Sequence, residues 1–347
     1  MMNLTLHTTL PDDLENDWND LLAESVSHVP FLRYEYLRIW WSTKGGGEWP
    51  DAKLVLVTAH ENGRLVAAAP LFHTSKYKDR PALLNLGSIE ISDYLDLMVR
   101  PQDLSGFLEA FLPFLESQAL PEWNELHLFN ILEDSPSLAA LQIAADKFGW
   151  TFETERLQHS PYIPLPGDWE KYLAGIDKKQ RHEIRRKMRR SEESTVPIKW
   201  YIVEDGATLE QEIDAFIAIM ELDDEKALFL TPQMRVQMRE SIRCAFEKNC
   251  LQLAFLQVDG INAAAYLSFD YLNRMWVYNS GINKEFQEYS PGWVLLGYLL
   301  QWANNQGRTE FDFMRGNEDY KYRFGAIDRF VVRASLIKGK DGSLSMN

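Results

Sequence analysis

Between Phe311 and Gly325 the chain reads FDFMRGNEDYKYRFG, which sets Arg315, Glu318, Asp319, Tyr320, Lys321 and Arg323 within nine positions. Two carboxylates, a phenol and three cations so close together can donate and accept protons and can hold an anion. The apolar start reads as a strand ending at Phe313, and the end of a buried strand is where an α/β sheet opens into its ligand crevice. Gly316 lets the backbone turn there. The plainer alternative is a charged loop paired within itself, Asp319 with Arg323.

Two other stretches have chemical character. Asp177 to Arg190 (DKKQRHEIRRKMRR) holds eight Lys/Arg against two acids. At 3.6 residues per turn Lys178, Arg181, Arg185 and Arg189 share one stripe, with Arg186 and Arg190 beside it, so one face of a helix can meet an anionic acceptor or simply be solvated. Ser92 to Leu97 (SDYLDL) offers Asp93, Tyr94 and Asp96, either to bind sugar hydroxyls or an amine, or to cap a turn. Other chemistries lack their motifs. His182-Glu183 is followed by Ile-Arg-Arg, so no zincin pair exists, and there is no nucleophile elbow, Walker loop or dinucleotide fingerprint. The seven histidines are scattered, and Cys244 and Cys250 fit neither a metal knuckle nor a redox pair. No metal is expected.

These residues need a scaffold, and 347 residues with 46% hydrophobic side chains can supply two domains. A net charge of −15 disfavours DNA and anionic membranes. The absence of a long apolar run and of a signal-peptide pattern leads to the expectation of a cytoplasmic protein without stable membrane insertion.

The scaffold repeats. Residues near position n and n + 197 share character over most of the chain. Leu54 to His73 (LVLVTAHENGRLVAAAPLFH) and Leu251 to Asp270 (LQLAFLQVDGINAAAYLSFD) have six identities in twenty and turn at Asn62-Gly63 and Asp259-Gly260, dipeptides suited to two-residue hairpin loops. Each copy reads as strand, two helices, hairpin, strand, helix, strand. A closing strand is expected at Thr151 to Leu157 in the first copy and at Phe330 to Ile337 in the second. The expected division is therefore 1–160, a linker with the basic helix at 161–194, and 195–347, all of α/β class with mixed sheets.

This order resembles the GNAT acyltransferase fold, and the tandem pair resembles its FemAB-type branch. FDFMRGNEDYKYRFG, KKQRHEIRRKMRR and SDYLDL are similar to signature stretches of the CelD-like group, which is linked with polysaccharide biosynthesis. The resemblance covers nearly the whole chain. It implies an acyl-CoA-dependent N- or O-acyltransferase, with acetyl-CoA as the expected co-substrate and an anionic small-molecule or sugar-linked acceptor. In that superfamily, N–H groups at the start of the helix after the central strand grip the pyrophosphate of CoA. Gln287 to Gly292 loosely resembles its Arg/Gln-x-x-Gly-x-Gly/Ala loop, with the inner glycine replaced by Tyr289 or Ser290. The expected CoA contacts are thus Gln287, Ser290, Gly292 and Trp293, with Ser290 as N-cap and Pro291 as first helical residue. The first copy, at Val99 to Phe107, has no such loop, so the second is the expected active copy.

A Phe-Lys-Lys-Gly-Phe-Gly stretch of FemAB proteins matches the place of FDFMRGNEDYKYRFG, and its first lysine points to Lys321. The resemblance assigns Lys321 and Arg315 to a phosphate or carboxylate, and Tyr278 or Tyr320 to the acid. Glu318 or Asp319 becomes the base, and the strand Arg274 to Ser280 supplies the amide that polarises the carbonyl. Arg323, Arg181, Arg185, Asp93, Tyr94 and Asp96 are left for the acceptor. Two other readings remain: a FemAB-like aminoacyl-tRNA-dependent ligase, although no helical arm for tRNA is evident, and a pair that only binds a nucleotide sugar or a protein partner.

Overall fold

The computed structural model describes residues 2–339. The chain forms two compact units, one running to Gln158 and resuming at Phe330, the other spanning His159–Arg329.

The first unit opens with β1 (Asn3–His7), α1 (Glu15–Ala23) and α2 (Tyr34–Thr43). The hairpin β2 (Lys53–Glu61) and β3 (Arg64–Tyr77) follows, and then β4 (Arg80–Asn85), the short β5 (Met98–Val99), α3 (Leu104–Ser117), β6 (Glu125–Leu132), α4 (Pro136–Phe148) and β7 (Thr151–His159). The second unit contains β8 (Tyr162–Pro164), α5 (Trp169–Gly175), α6 (Lys178–Glu192), β9 (Ile198–Ile202), α7 (Leu209–Met220), α8 (Asp224–Phe229) and α9 (Pro232–Glu247). It continues through the hairpin β10 (Leu251–Val258) and β11 (Ile261–Tyr271), β12 (Arg274–Ile282), α10 (Pro291–Asn305), β13 (Glu310–Asp312) and α11 (Asp319–Arg323). The last strand is β14 (Phe330–Ile337).

The sheets carry the repeat in their order. The first runs β1-β2-β3-β4-β6-β14-β7, with β5 on β3; the second runs β9-β10-β11-β12-β13-β8. In each, two strands on either side of a long helix pair parallel, β4 with β6 around α3 and β12 with β13 around α10. Both hairpins turn through left-handed residues, Asn62-Gly63 (φ 52° and 78°) and Asp259-Gly260 (φ 50° and 79°). They also break register at the same place, Ala59/His60 and Leu256/Gln257. These pairs differ by the same 197 positions, so the duplication extends to the bulge.

The domain boundaries differ from those expected. The strand 330–337 does not close the second unit. It lies between β6 and β7 of the first, antiparallel to β6 from Val331↔Leu132 to Ile337↔Glu125. Its alternation explains the placement, because Val332, Ala334 and Leu336 enter the core built on α3 and α4. The corresponding place beside β13 is filled by β8, whose Ile163 is buried in the second unit. The expected linker is no linker either. Asp168 caps α5 and Asp177 caps α6, and α6 turns Ile184 and Met188 into the core while its cations face out. Gly297 of α10 allows the close approach, since a Cβ there would lie 2.9 Å from the Met188 sulfur. The second sheet is thus covered on one face by α5, α6 and α10 and on the other by α7 and α9, each with its own core.

Leu336 is fully buried in the first unit's core. Leu336→Ala is expected to cost about 2–5 kcal/mol, with faster amide exchange in β6 and β7 and unchanged exchange in β12 and β13. Faster exchange in β12 and β13 instead would return β14 to the second unit.

Candidate functional site

The candidate site residues of the strand-end stretch lie in the second unit, where β12 and β13 part company. They pair over only three positions, Arg274↔Glu310 to Trp276↔Asp312. β12 then continues to Ile282, while the other chain enters a loop. Backbone polar groups along the unpaired stretch of β12 need other partners. A bulge sits at this point: Leu267 pairs with Asn279 and Ser268 with Val277, so Tyr278 is the extra residue. The Ser280 N–H donates to the Asn279 side chain at 2.8 Å, and the Ser280 carbonyl accepts from Lys226 Nζ.

The loop from Phe313 to Glu318 is held by its own residues. Met314 takes a left-handed φ of 59° while its N–H donates to Asp312 Oδ1 at 2.7 Å. Gly316 adopts φ 108° and donates to the His159 carbonyl at 2.9 Å. Lys321, on the short α11, is buried and points back into this turn. Its Nζ donates to the carbonyls of Arg315 and Gly316, each at 2.9 Å, and meets Glu318 Oε2 at 2.8 Å. An ammonium has three protons, so Lys321 has none to spare, and its contacts are those of a residue that positions the loop. Arg323 pairs with Asp319 at 2.5 Å on the surface, the internal pairing that the sequence had left open.

Glu318 is the electrostatic centre of the loop. Its carboxylate is more than half exposed. Burial and, secondarily, its charge raise the pKa of the Tyr320 phenol, and burial, then Tyr320 and only after these Glu318, raise that of Tyr266. Burial, then Asp328 and only after these Glu318, raise that of Tyr322. Tyr320 packs edge-on to Phe313, at 6.0 Å between ring centroids, on the α10 side of the sheet. Tyr278 packs with the core on the α7–α9 side. The two candidate acids therefore lie on opposite faces.

The start of α10 is the other half of the site. Asn283 caps the preceding 3-10 turn, Lys284–Tyr289, through Glu285 N–H. Ser290 stands at the N-cap of α10 with Pro291 after it, as expected, but its side chain makes no capping bond. Its φ of 52° and ψ of 48° are the left-handed conformation that glycine favours. Ser290 rather than Tyr289 thus replaces the loop's inner glycine. Without a cap, the Gly292 and Trp293 amides at the head of the helix lack intrahelical acceptors. Gly292 permits contact with β12, since a Cβ there would come within 2.5 Å of Ile282. Gln287 is exposed, and its carbonyl accepts from Ser290 N–H at 3.0 Å. Trp293 packs rather than projects: its ring lies 4.6 Å from Phe324 and 4.4 Å beneath Lys187 Nζ.

The basic helix lies alongside. Arg186, Arg189 and Arg190 of α6, with Glu288 and Tyr289 before α10, line a hollow of about 450 Å³. Arg186 also pairs with Glu183 at 2.7 Å. A second hollow, of about 580 Å³, shares Arg186 and Arg189 and is bordered by Trp169, His182, Arg185 and Gln301. Arg185 pairs with Glu170, and Arg181 reaches the Leu173 and Ala174 carbonyls at 3.4 Å.

The Ser92 to Leu97 stretch lies in the first unit and does not offer its side chains to a ligand. Asp93, Tyr94 and Asp96 are all buried. Asp96 accepts from Ser135, the N-cap of α4, at 2.5 Å and from Leu97 N–H at 2.7 Å. Burial pushes its carboxyl up to about 6. Spacing alone could not separate this helix-anchoring role from a binding role. Lys226 belongs to no sequence motif, and only the fold reveals its place at β12.

Residues 178–322 match the family described as acetyltransferase (GNAT) domain. That match lies within the second unit. The whole chain has the tandem-GNAT fold. It superposes on FemX with a TM-score of 0.66 at 10% identity, covering 96% of each chain. A tandem GNAT protein from the clavulanic acid biosynthesis pathway gives 0.50 at 13% identity, covering 98% of this chain and 100% of that one. A conserved protein of Bacteroides thetaiotaomicron gives 0.61 at 13% identity, over 97% and 100%. At these identities the likeness is one of fold. No curated protein matches the sequence. Among the described residues no helix is long and apolar enough to cross a membrane, and no group of three or more His, Cys, Asp or Glu could hold a metal ion.

Lys321→Met would leave the Arg315 and Gly316 carbonyls without their partner, at roughly 1–3 kcal/mol per orphaned buried group. The urea midpoint is expected to fall accordingly. Unchanged stability with abolished ligand binding would instead give the ammonium to a ligand.

Proposed function

We propose that this chain is an acyl-CoA-dependent N- or O-acyltransferase whose second unit binds the thioester. The observation that carries the proposal is the uncapped start of α10 beside Arg186, Arg189 and Arg190, next to the stretch of β12 that β13 leaves unpaired. Amide N–H groups at a helix start suit a pyrophosphate, and guanidinium groups suit phosphate oxygens. Gln287, Ser290 and Gly292 shape that start, with Ser290 supplying the left-handed turn. The acyl carbonyl then lies along β12 near the Tyr278 bulge, and the acceptor approaches from the Glu318 side. Glu318, exposed and negative, is the proposed base. Arg315 and the outward cations of α6, Arg181 and Arg185 among them, favour an acceptor with an anionic group, either a small molecule or a sugar-linked one. Acetyl-CoA is the proposed donor.

A second reading, transfer of an aminoacyl group to a peptide or cell-envelope precursor, draws support from the fold shared with FemX over 96% of the chain. Both readings place the acyl group in the same cleft and differ in the donor.

Calorimetry with acetyl-CoA is expected to give a dissociation constant of about 1 µM–1 mM, the usual range for enzyme substrates. Arg186→Ala and Arg190→Ala should each weaken it about 10–100-fold, since a hydrogen bond to a charged group contributes about 1.5–3 kcal/mol. No heat with acetyl-CoA or longer acyl-CoAs would remove the thioester and leave the aminoacyl reading.

A further inference from the structure

Lys226 is placed as none of the motif residues is. It lies on α8, a short helix between α7 and α9, and its backbone N–H donates to the Asp223 side chain at 3.2 Å. Its side chain is half-buried and runs to β12, where Nζ donates to the Ser280 carbonyl. Ser280 lies four residues beyond Trp276, the last β12 residue paired with β13, so the ammonium sits along the stretch of strand that β13 has left. Burial lowers its pKa, and the negative charges of Asp223 and Glu318 oppose that shift. Glu318 comes from the loop after β13, so groups from both diverging strands act on this ammonium, the Ser280 carbonyl from one and the Glu318 charge from the other. Among the described residues the Ser280 carbonyl is the partner recorded for this ammonium, which leaves two of its three protons for a ligand. Lys321, which meets the Glu318 carboxylate, has already committed all of its own protons.

We propose that Lys226 is a catalytic residue of acyl transfer, its ammonium donating to the thioester carbonyl oxygen as that oxygen becomes negative. The inference rests on the acyl-CoA reading above. The acceptor's nitrogen or oxygen lone pair attacks the carbonyl carbon, and the π electrons move onto the carbonyl oxygen, where Lys226 holds them. The proton displaced from the acceptor passes to Glu318. When the carbonyl re-forms, the C–S bond breaks, the sulfur leaves with the electron pair, and the thiolate takes the proton from Glu318. A fixed cation at the site of developing charge acts without reorganising at the moment of reaction. The carbonyl of Ser280 provides that fixity.

The test is deuterated acetic anhydride labelling of the whole protein, read lysine by lysine by mass spectrometry with and without saturating acetyl-CoA. Labelling of Lys226 is expected to fall at least several-fold with the thioester, while Lys53 of the first unit is unchanged. Calorimetry on the same sample separates the two levels of failure. Binding with no protection of Lys226 overturns this inference alone, whereas no binding removes the acyl-CoA reading and this inference with it. For turnover, Lys226→Met is expected to lower kcat for thiol release about 100-fold with KM for acetyl-CoA little changed, and Lys226→Arg to recover part of the loss. Equal losses in both variants, or a loss confined to KM, would mean that Lys226 only supports the strand and would overturn the proposal.

Discussion

A strand that loses its neighbour must find other partners for its backbone, and in this protein that constraint shapes the candidate site. β12 and β13 share three paired positions and then diverge. Beyond them, the extra residue at Tyr278, the Asn279 side chain and Lys226 all serve β12, while Met314, Gly316 and Lys321 serve the chain leaving β13. The divergence between the two strands is thus stabilised on each side separately. The opening is also polar by necessity, since the groups that stabilise its walls are an amide, two ammonium ions and a carboxylate.

The rest of the second unit holds this opening in place. α10 is apolar nearly all round and is gripped between the sheet and α6, with Val294, Leu295 and Leu299 in the core. Its start is fixed against β12 through the Gly292 contact and against α11 through Trp293 on Phe324. Lys187 of α6 lies over the Trp293 ring. The helix start, the basic helix and the strand-end loop therefore meet through one tryptophan. Trp293 is expected to matter more as this keystone than as a ligand contact.

Much of this was legible in the residues. The period of 197, the two hairpins and their turn dipeptides followed from a pattern that a duplicated sheet imposes on sequence. The end of a strand near Phe313 and the turn at Gly316 were likewise legible, because an apolar run followed by glycine marks where a strand stops and the backbone turns. What could not be read was connectivity between distant segments. β14 and the strand at 151–157 look alike as closing strands, and only three-dimensional packing decides which sheet takes which. Polar residues were ambiguous for a related reason. Asp96 and Lys321 have the composition of ligand-binding groups, yet one anchors the start of α4 and the other pins a loop. Lys226 had no local signal at all, since its meaning comes from a carbonyl 54 residues away.

The central claim is that the unpaired stretch of β12 and the head of α10 together receive the thioester. Amide hydrogen exchange with and without acetyl-CoA tests it most directly. Slower exchange at residues 277–282 and 290–294, with none in the first unit's hairpin at 53–77, is the predicted result. Binding that leaves both stretches unchanged, or that slows exchange only in the first unit, would contradict it.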